Sequence, residues 1–177
     1  MRVISGKYKG KKLNGFDIDG TRPTMDRVKE SLFSMIQNSL KDSTILDLFA
    51  GSGSLGIEAL SNGAKSAYFV DNNIKLINII KSNTKDMTED IHIIKGNYKD
   101  ILNLLKDIKF DIIFLDPPYK LNLINDCLNK IYELKLLNKN GIIVCEYEEE
   151  YINTSYFELI KEKKYGSKSI KIFTNKE

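Results

Sequence analysis

Short apolar runs alternate with amphipathic segments along the chain from residue 44 onward. The apolar runs are typical of buried strands and lie at 44–49, 67–71, 91–94, 111–115 and 141–146. Apolar residues at helical spacing predict intervening helices at 54–61, 73–84, 99–106 and 121–137. Because strands and helices in alternation build a parallel sheet with helices on both faces, the pattern predicts an α/β fold.

The C-terminal part of the chain departs from this alternation. Residues 157–165 and 169–174 read as two further strands joined by a short turn at Gly166 and Ser167. Strands joined by so short a connection are antiparallel. We therefore expect a mostly parallel sheet of seven strands whose last strand is antiparallel.

The first forty residues form a pattern of their own. Short strands are predicted at Arg2–Ser5 and Lys11–Leu13, and Thr24 after Pro23 is typical of a helix N-cap. The apolar residues of that helix fall on one face, at Met25, Val28, Leu32 and Met35 or Ile36. The sequence thus predicts a β-hairpin and helix arm at residues 1–40 and a main domain at residues 41–177.

Positive charge is concentrated in this arm. Residues 1–30 contain eight Lys and Arg and four Asp and Glu, a net charge of +4, so the rest of the chain carries −1 of the total of +3. The first thirteen residues contain five of these cations and no acid. Such a segment suits a nucleic-acid backbone, although a solvated basic end without function has the same charge. The candidate RNA-binding residues here are Arg2, Lys7, Lys9, Lys11 and Lys12.

A glycine-rich turn follows the first predicted strand of the main domain. Gly51, Gly53 and Gly56 fit the G-x-G-x-x-G pattern, in which a nucleotide-like ligand approaches the backbone at a helix N-terminus. The pattern alone does not separate NAD from other adenosine-bearing ligands. Asp47 at the strand end opposes a pyrophosphate but suits an ammonium group. Asp71, at the end of the next strand, has the spacing of an acid that accepts hydrogen bonds from ribose hydroxyls.

The motif Asp116-Pro117-Pro118-Tyr119 ends a later apolar strand. Consecutive prolines fix φ and lack N–H groups, so they hold the backbone extended where the strand reaches the surface. The motif offers a carboxylate, a free proline carbonyl and an aromatic face, which together hold a flat base and accept hydrogen bonds from its amino group. A simple turn explains an isolated tetrapeptide equally well. In combination with Asp47 and Asp71, the motif favours S-adenosylmethionine (SAM) and methyl transfer to a nucleobase nitrogen.

Composition bounds the class of protein. With 177 residues, 42% of them hydrophobic, the chain builds one main domain. Cys127 and Cys145 lack metal-site spacing and His92 has no partner in the sequence, so we expect packed, reduced thiols and no metal. No stretch has the apolar length of a membrane span, and the first residues lack the hydrophobic region of a signal peptide. We therefore expect a cytoplasmic protein.

Three segments together resemble a known family. They are RPTMDRVKESLF at residues 22–33, DLFAGSG at residues 47–53 and DPPY at residues 116–119. In this order and spacing they resemble the RsmD-type bacterial methyltransferases, which modify guanine N2 in small-subunit (16S) ribosomal RNA. The resemblance covers essentially the whole chain. It implies a Rossmann-like class I SAM-dependent methyltransferase fold with an N-terminal β-hairpin and helix arm.

The resemblance also implies roles for individual residues. The target base would be held by Asp116, Pro117, Pro118 and Tyr119. The cofactor would bind at Asp47, Phe49, Gly51, Gly53, Asp71, Asn72, Asn97 and Tyr98. Arg22, Thr24 and Arg27 in the arm motif join the predicted RNA-binding residues. The expected partner is ribosomal RNA, alone or in a small-subunit assembly intermediate, and the expected state of the enzyme is a monomer.

Three other functions remain open at this point. A DNA or RNA adenine-N6 methyltransferase shares the glycine and DPPY motifs, although no segment is long enough for the target-recognition insertion usual in DNA adenine enzymes. An NAD-dependent oxidoreductase accounts for Gly51 and Asp71 but not for the DPPY motif or the basic arm. A catalytically silent RNA-binding module would need none of the site residues.

Overall fold

The structure, a computed structural model, describes residues 1–15, 22–118 and 121–176, and at residues 22–24 it describes the backbone alone. Within these ranges seven strands form one sheet in the order β3-β2-β1-β4-β5-β7-β6. The strands are β1 (Thr44–Asp47), β2 (Ser66–Asp71), β3 (Asp90–Lys95), β4 (Phe110–Leu115), β5 (Leu137–Tyr147), β6 (Phe157–Tyr165) and β7 (Lys168–Asn175). The α-helices are α1 (Arg22–Ile36), α2 (Ser54–Ser61), α3 (Ile74–Thr84), α4 (Tyr98–Leu104) and α5 (Ile124–Glu133).

The directions of the strands confirm the predicted topology. Strands β1 to β5 pair in parallel, whereas β7 is antiparallel to both of its neighbours, β5 and β6. Parallel strands need crossover connections, and helices α2 to α5 supply them on the two faces of the sheet. The expected α/β fold with an antiparallel last strand is therefore present.

Alternate residues of the central strands pack into two separate cores. Ile45 and Phe114 face the core that α1, α2 and α3 cover, while Leu46 and Leu115 face the core that α4 and α5 cover. All four side chains are at most 1% exposed. Since both faces of the sheet are buried, these strands read as continuous apolar runs in the sequence.

Several element boundaries differ from the prediction. Helix α5 ends at Glu133 rather than at residue 137, because Lys135 takes a positive φ of 52° and β5 begins at Leu137. Helix α1 begins at Arg22, so the prediction that Thr24 is its N-cap is wrong. Proline is tolerated in the first turn of a helix, where its missing N–H has no partner to lose, so Pro23 does not delay the start.

The N-terminal hairpin is looser than predicted. Instead of two short strands, the described residues contain a single antiparallel bridge between Arg2 and Lys12. Hydrogen bonds from Val3 N–H to the Lys11 carbonyl and from Leu13 N–H to the Met1 carbonyl, both 2.9 Å, complete the pairing. A bridge of this length is marginal on its own. Hydrogen bonds from Ile4, Ser5 and Lys7 to Glu58 and Ser61 of α2 support the hairpin.

A buried ion pair joins the hairpin and α1 to α2. Lys29 Nζ lies 3.1 Å from Glu58 Oε1, and the two side chains are 4% and 1% exposed. Glu58 also accepts hydrogen bonds from the backbone N–H groups of Ile4 (2.9 Å) and Ser5 (3.1 Å). Lys29 in turn donates to the Arg2 carbonyl at 3.2 Å. Residues 1–13 and α1 thus pack into the same core as the sheet, and the division at residue 40 stays a prediction.

None of the helices in the described ranges is long and apolar enough to cross a bilayer.

Removing one partner of the Lys29–Glu58 pair should destabilise the protein more than removing both. Lys29→Met leaves a buried carboxylate without its counter-ion, and we expect a loss of about 3–5 kcal/mol in the free energy of unfolding. Urea denaturation of Lys29→Met, Glu58→Gln and the double variant measures the effect. The double variant should lose clearly less than the sum of the two single losses. Strict additivity would show that the two charges do not depend on each other.

Candidate active site

Charged side chains continue the buried rows of one sheet face at the carboxyl edge. Ile45, Phe69, Phe114 and Val144 all belong to the core under α1, α2 and α3. Because side chains alternate along a strand, the residue two positions later points to the same face. Those residues, with one further cation from the start of β7, are Asp47, Asp71, Asp116, Glu146 and Lys168.

Strand register places these charges in a defined order. Leu115 of β4 pairs with Cys145 of β5, so Asp116 and Glu146 follow side by side, one strand spacing of about 4.8 Å apart. Asp47 pairs with both Phe69 and Phe114, and therefore lies one row deeper than Asp71 and Asp116, between their strands. The order across the edge is Asp71, Asp47, Asp116, Glu146 and then Lys168.

These residues line one cavity of about 640 Å³. The turn at Gly51 and the rim at Asp116 and Pro117 both face it, so the two sequence motifs share a site. The predicted residues that line it are Asp47, Phe49, Gly51, Asp71, Asn72, Asn97, Tyr98, Asp116, Pro117 and Pro118. Tyr119 lies outside the described residues.

The glycines of the turn serve different purposes. Gly51 has a φ of 58°, and no heavy atom lies within 4 Å of the position that a Cβ would take there, so a ligand can approach its backbone. Gly53 has a φ of 88° and caps α2, but it is not part of the cavity wall. Gly56 packs on Phe69, where an added Cβ would come within 2.3 Å of the ring, so this glycine permits close packing of α2 on the sheet.

Two acids of the cavity are held in place by backbone N–H groups. The Asp71 carboxylate accepts hydrogen bonds from Gly51 N–H at 3.0 Å and from Asn73 N–H at 2.9 Å. The Asp47 carboxylate accepts one from Gly56 N–H at 3.1 Å. The hydrogen bonds from Gly51 and Gly56 hold the glycine motif against the ends of β2 and β1.

Burial shifts the ionisation of two carboxyl groups. Loss of hydration raises the pKa of Asp47 to about 7, against the opposing hydrogen bond from Gly56. The pKa of Asp116 is raised well above its ordinary value, first by burial and then by the negative charge of Glu146. The positive charge of Lys168 acts in the opposite direction. A cationic or hydrogen-bond-donating ligand would stabilise both carboxylates.

The polar and aromatic residues at the far end of the cavity are also positioned by local contacts. Asn97 caps α4, accepting a hydrogen bond from Asp100 N–H at 2.9 Å. Tyr98 donates its hydroxyl to Asp126 at 2.7 Å, and its ring lies 5.7 Å from the ring of Phe49. These two rings form an apolar wall suited to a flat heterocycle.

Lys7 and Lys11, two of the predicted RNA-binding cations, lie away from the cavity. Helix α2 begins at the cavity with Ser54 and ends at Ser61, whose carbonyl accepts a hydrogen bond from Lys7 N–H at 2.8 Å. Lys7 is therefore about 12 Å away, at the opposite end of α2. It pairs there with Glu89 at 3.4 Å, and Lys11 pairs with Asp86 at 3.7 Å.

The remaining predicted cations have fewer contacts. Lys9 and Lys12 are exposed and form no ion pair within the described ranges, and Arg27 is exposed on α1. Arg2 donates to the Gly10 carbonyl at 3.2 Å. The side chains of Arg22 and Thr24 lie outside the described part of the structure.

Comparison with known proteins identifies the family. The family model described as conserved hypothetical protein 95 matches residues 1–174. Ribosomal RNA small subunit methyltransferase D of Haemophilus influenzae is 36% identical over 99% of this chain and 94% of its own length. This chain belongs to the RsmD-type methyltransferase family. The resemblance seen in the sequence is thus confirmed.

Other members of the family agree with this fold. Ribosomal RNA small subunit methyltransferase D of Escherichia coli is 33% identical over 85% of this chain and 76% of its own length. The solved structure of the yhhF protein from Escherichia coli superposes with a TM-score of 0.87 at 30% identity, covering 99% of this chain and 97% of the other. The predicted fold is therefore that of the RsmD-type family.

Three charged residues of this RsmD-type site were not predicted from the sequence. Glu146 lines the cavity near the end of β5. Like Asp116, it is an acid that directly follows an apolar run in the sequence. Lys29 falls on the apolar stripe of α1 with Val28 and Leu32, which marks a buried charge. Lys168 follows a turn in the chain and carries no comparable signal.

Asp47→Asn should stabilise the protein at alkaline pH. Since folding raises the pKa of Asp47 to about 7, the folded state retains its proton longer than the unfolded state. The stability that Asp47 contributes is fully present below its ordinary pKa of 3.8 and is lost as the pH rises from there through about 7. We expect the variant to melt at a higher temperature than the parent at pH 8, and the difference to shrink steadily as the pH is lowered toward 4. Parallel melting temperatures of parent and variant across this range would contradict the assignment.

Proposed function

We propose that this protein transfers a methyl group from SAM to the exocyclic N2 of a guanine in small-subunit ribosomal RNA. One observation carries the proposal: the glycine turn at Gly51 and the Asp116–Pro117 rim line a single cavity in a chain of the RsmD-type family. Members of that family named ribosomal RNA small subunit methyltransferase D match most of this chain. Family membership also removes the oxidoreductase alternative.

The cavity fits SAM by volume and by charge. Its volume of about 640 Å³ is within the usual range of about 300–1,000 Å³ for cofactor sites. The open backbone at Gly51 admits the ligand, the Asp71 carboxylate suits the ribose hydroxyls, and Asp47 suits the ammonium group. Asn72, Asn97 and Tyr98 also line the cavity, and we expect them to contact the adenine. When bound, SAM supplies an electrophilic methyl group on a sulfonium.

The Asp116 rim prepares the acceptor nitrogen. The lone pair of an exocyclic amine is delocalised into the base, so it is a poor nucleophile. Hydrogen bonds from the two amino hydrogens to the Asp116 carboxylate and the Pro117 carbonyl favour a pyramidal nitrogen with its lone pair directed along the cavity. Stacking of the base on Tyr119 stays a prediction from the sequence.

The environment of Asp116 also suits the proton that the amine must lose. Burial and the charge of Glu146 raise the pKa of the Asp116 carboxyl, which makes its ionised form a stronger base than an exposed aspartate. The same shift requires that donors on the substrate stabilise the ionised form when the base binds. Asp116 therefore accepts the amino hydrogen bond and then receives the proton.

Asp116→Asn should abolish methyl transfer with cofactor binding retained. The amide keeps the shape of the side chain but cannot take up a proton, so we expect kcat to fall at least about 100-fold. The measurement is incorporation of labelled methyl groups into small-subunit RNA from cells lacking the gene, followed by mapping of the modified base. SAM affinity from calorimetry is the control and should stay within about threefold of the parent value. Near-normal turnover, or a product other than N2-methylguanine in the parent reaction, contradicts the proposal.

The exposed cations of the arm supply RNA affinity in this proposal. Lys9 and Lys12 are exposed without ion-pair partners in the described chain, so they are available to phosphates, whereas Lys7 and Lys11 already face acids. The base itself must be unpaired or turned out to reach the cavity. Three further points stay predictions: the cytoplasmic location, the monomeric state and the action on an assembly intermediate.

Removing the charges of Lys9 and Lys12 should weaken RNA binding and its salt dependence. Each lost phosphate contact lowers the slope of log K against log salt by about 0.7 for single-stranded RNA. Fluorescence titration of Lys9→Ala/Lys12→Ala between low and high salt measures the slope. The matched control, Lys7→Ala/Lys11→Ala, removes the same charge from paired lysines and should change the slope less. If both pairs leave the slope unchanged, the arm does not bind RNA.

A further inference from the structure

The edge of guanine next to its amino group carries two further recognition atoms. N1–H is a hydrogen-bond donor beside the amino group, and O6 is an acceptor beyond it. A site that reads guanine therefore needs an acceptor for the amino group, a second acceptor for N1–H and a donor for O6, in that order. Asp116 and Pro117 meet only the first of these requirements.

The structure holds such a set in such an order. Asp116, Glu146 and Lys168 come from the adjacent strands β4, β5 and β7 and all line the cavity. The pairing of Leu115 with Cys145 brings Asp116 and Glu146 side by side. Lys168 precedes Ile170, the β7 partner of Glu146, by two residues, so it lies on the same face one row further out.

Glu146 and Lys168 also contact each other directly. Lys168 Nζ donates to Glu146 Oε1 at 3.0 Å, and the side chains are 29% and 9% exposed. A carboxylate that accepts from an ammonium group has further lone pairs, so Glu146 presents an acceptor to the cavity. An ammonium group has three hydrogens, which allows Lys168 to hold Glu146 and donate to a second acceptor.

We infer that Glu146 and Lys168 select guanine, with Glu146 accepting N1–H and Lys168 donating to O6. This inference rests on the proposed function, because it assumes that the amino group at Asp116 belongs to a purine. A purine with neither the N1 hydrogen nor O6 turns a lone pair toward the Glu146 carboxylate and offers no acceptor to Lys168. A site built to hydrogen-bond a donor and an acceptor rejects an analogue that lacks them.

The matched substrate analogue is 2-aminopurine. It keeps the acceptor amino group at position 2 but has a lone pair at N1 and no oxygen at position 6. The test uses the RNA in which the product has been mapped, with the target guanine replaced by 2-aminopurine, under single-turnover conditions. We expect the parent enzyme to prefer guanine by at least about 100-fold, since two base-edge contacts are lost.

Glu146→Gln should reduce that preference by about tenfold or more, because the glutamine amide can donate to the N1 lone pair of 2-aminopurine. Lys168→Met should slow transfer to guanine and leave transfer to 2-aminopurine nearly unchanged. Glu162→Gln is the matched control, because it makes the same chemical change at a residue that is exposed on β6 outside the cavity wall. Its rates on both substrates should equal those of the parent.

The outcomes separate the inference from the proposed function. If the parent methylates both bases equally, or if both variants slow both substrates by the same factor, Glu146 and Lys168 do not select guanine. The proposed methyltransferase function would be unaffected by that result. If Glu146→Gln is inactive on both substrates, the parent ratio and the Lys168→Met ratio decide. If the parent binds SAM but forms no N2-methylguanine in any RNA, the proposed function itself fails.

Discussion

Parallel strands turn alternate side chains to one face, and the site of this protein depends on that constraint. In β1, β2, β4 and β5 a buried apolar residue on the face under α1 is followed two positions later by an acid. Because the strands run in the same direction, all four acids reach the same edge of the sheet. The packing that forms the core and the geometry that forms the cavity are therefore one arrangement, and a register shift in any of these strands would disturb both.

Gathering four acids in one cavity is unfavourable, since each loses hydration and repels the others. The structure offsets part of this cost with backbone N–H groups at Asp47 and Asp71 and with the Lys168 ammonium at Glu146. The part of the cost that is not offset is reflected in the raised pKa values of Asp47 and Asp116. The arrangement favours ligands that bring positive charge or hydrogen-bond donors, namely the ammonium of SAM and the amino group of a base.

The Lys29–Glu58 ion pair lies on the same face of the sheet as these acids. It ties the hairpin, α1 and α2 together at a point where Lys29 also lines the cavity and donates to Ser54 at 3.0 Å. Helix α2 begins directly after the glycine turn, so the position of that turn depends on this buried contact. The N-terminal residues consequently belong to the cavity wall, at Met1, as well as to the predicted RNA-binding surface.

The sequence by itself determined the order of strands and helices along the chain, the antiparallel last strand and the acids at Asp47, Asp71 and Asp116. Hydrophobic periodicity and strand ends are local properties of the chain, so they can be read without the tertiary structure. It did not determine the end of α5 or the start of α1, where a positive φ at Lys135 and the tolerance of the first turn for Pro23 decided the boundary. Only the tertiary structure joined Glu146 to Lys168 and Lys29 to Glu58. These pairs connect residues 22 and 29 positions apart, and which side chains meet over such separations depends on sheet register and helix packing.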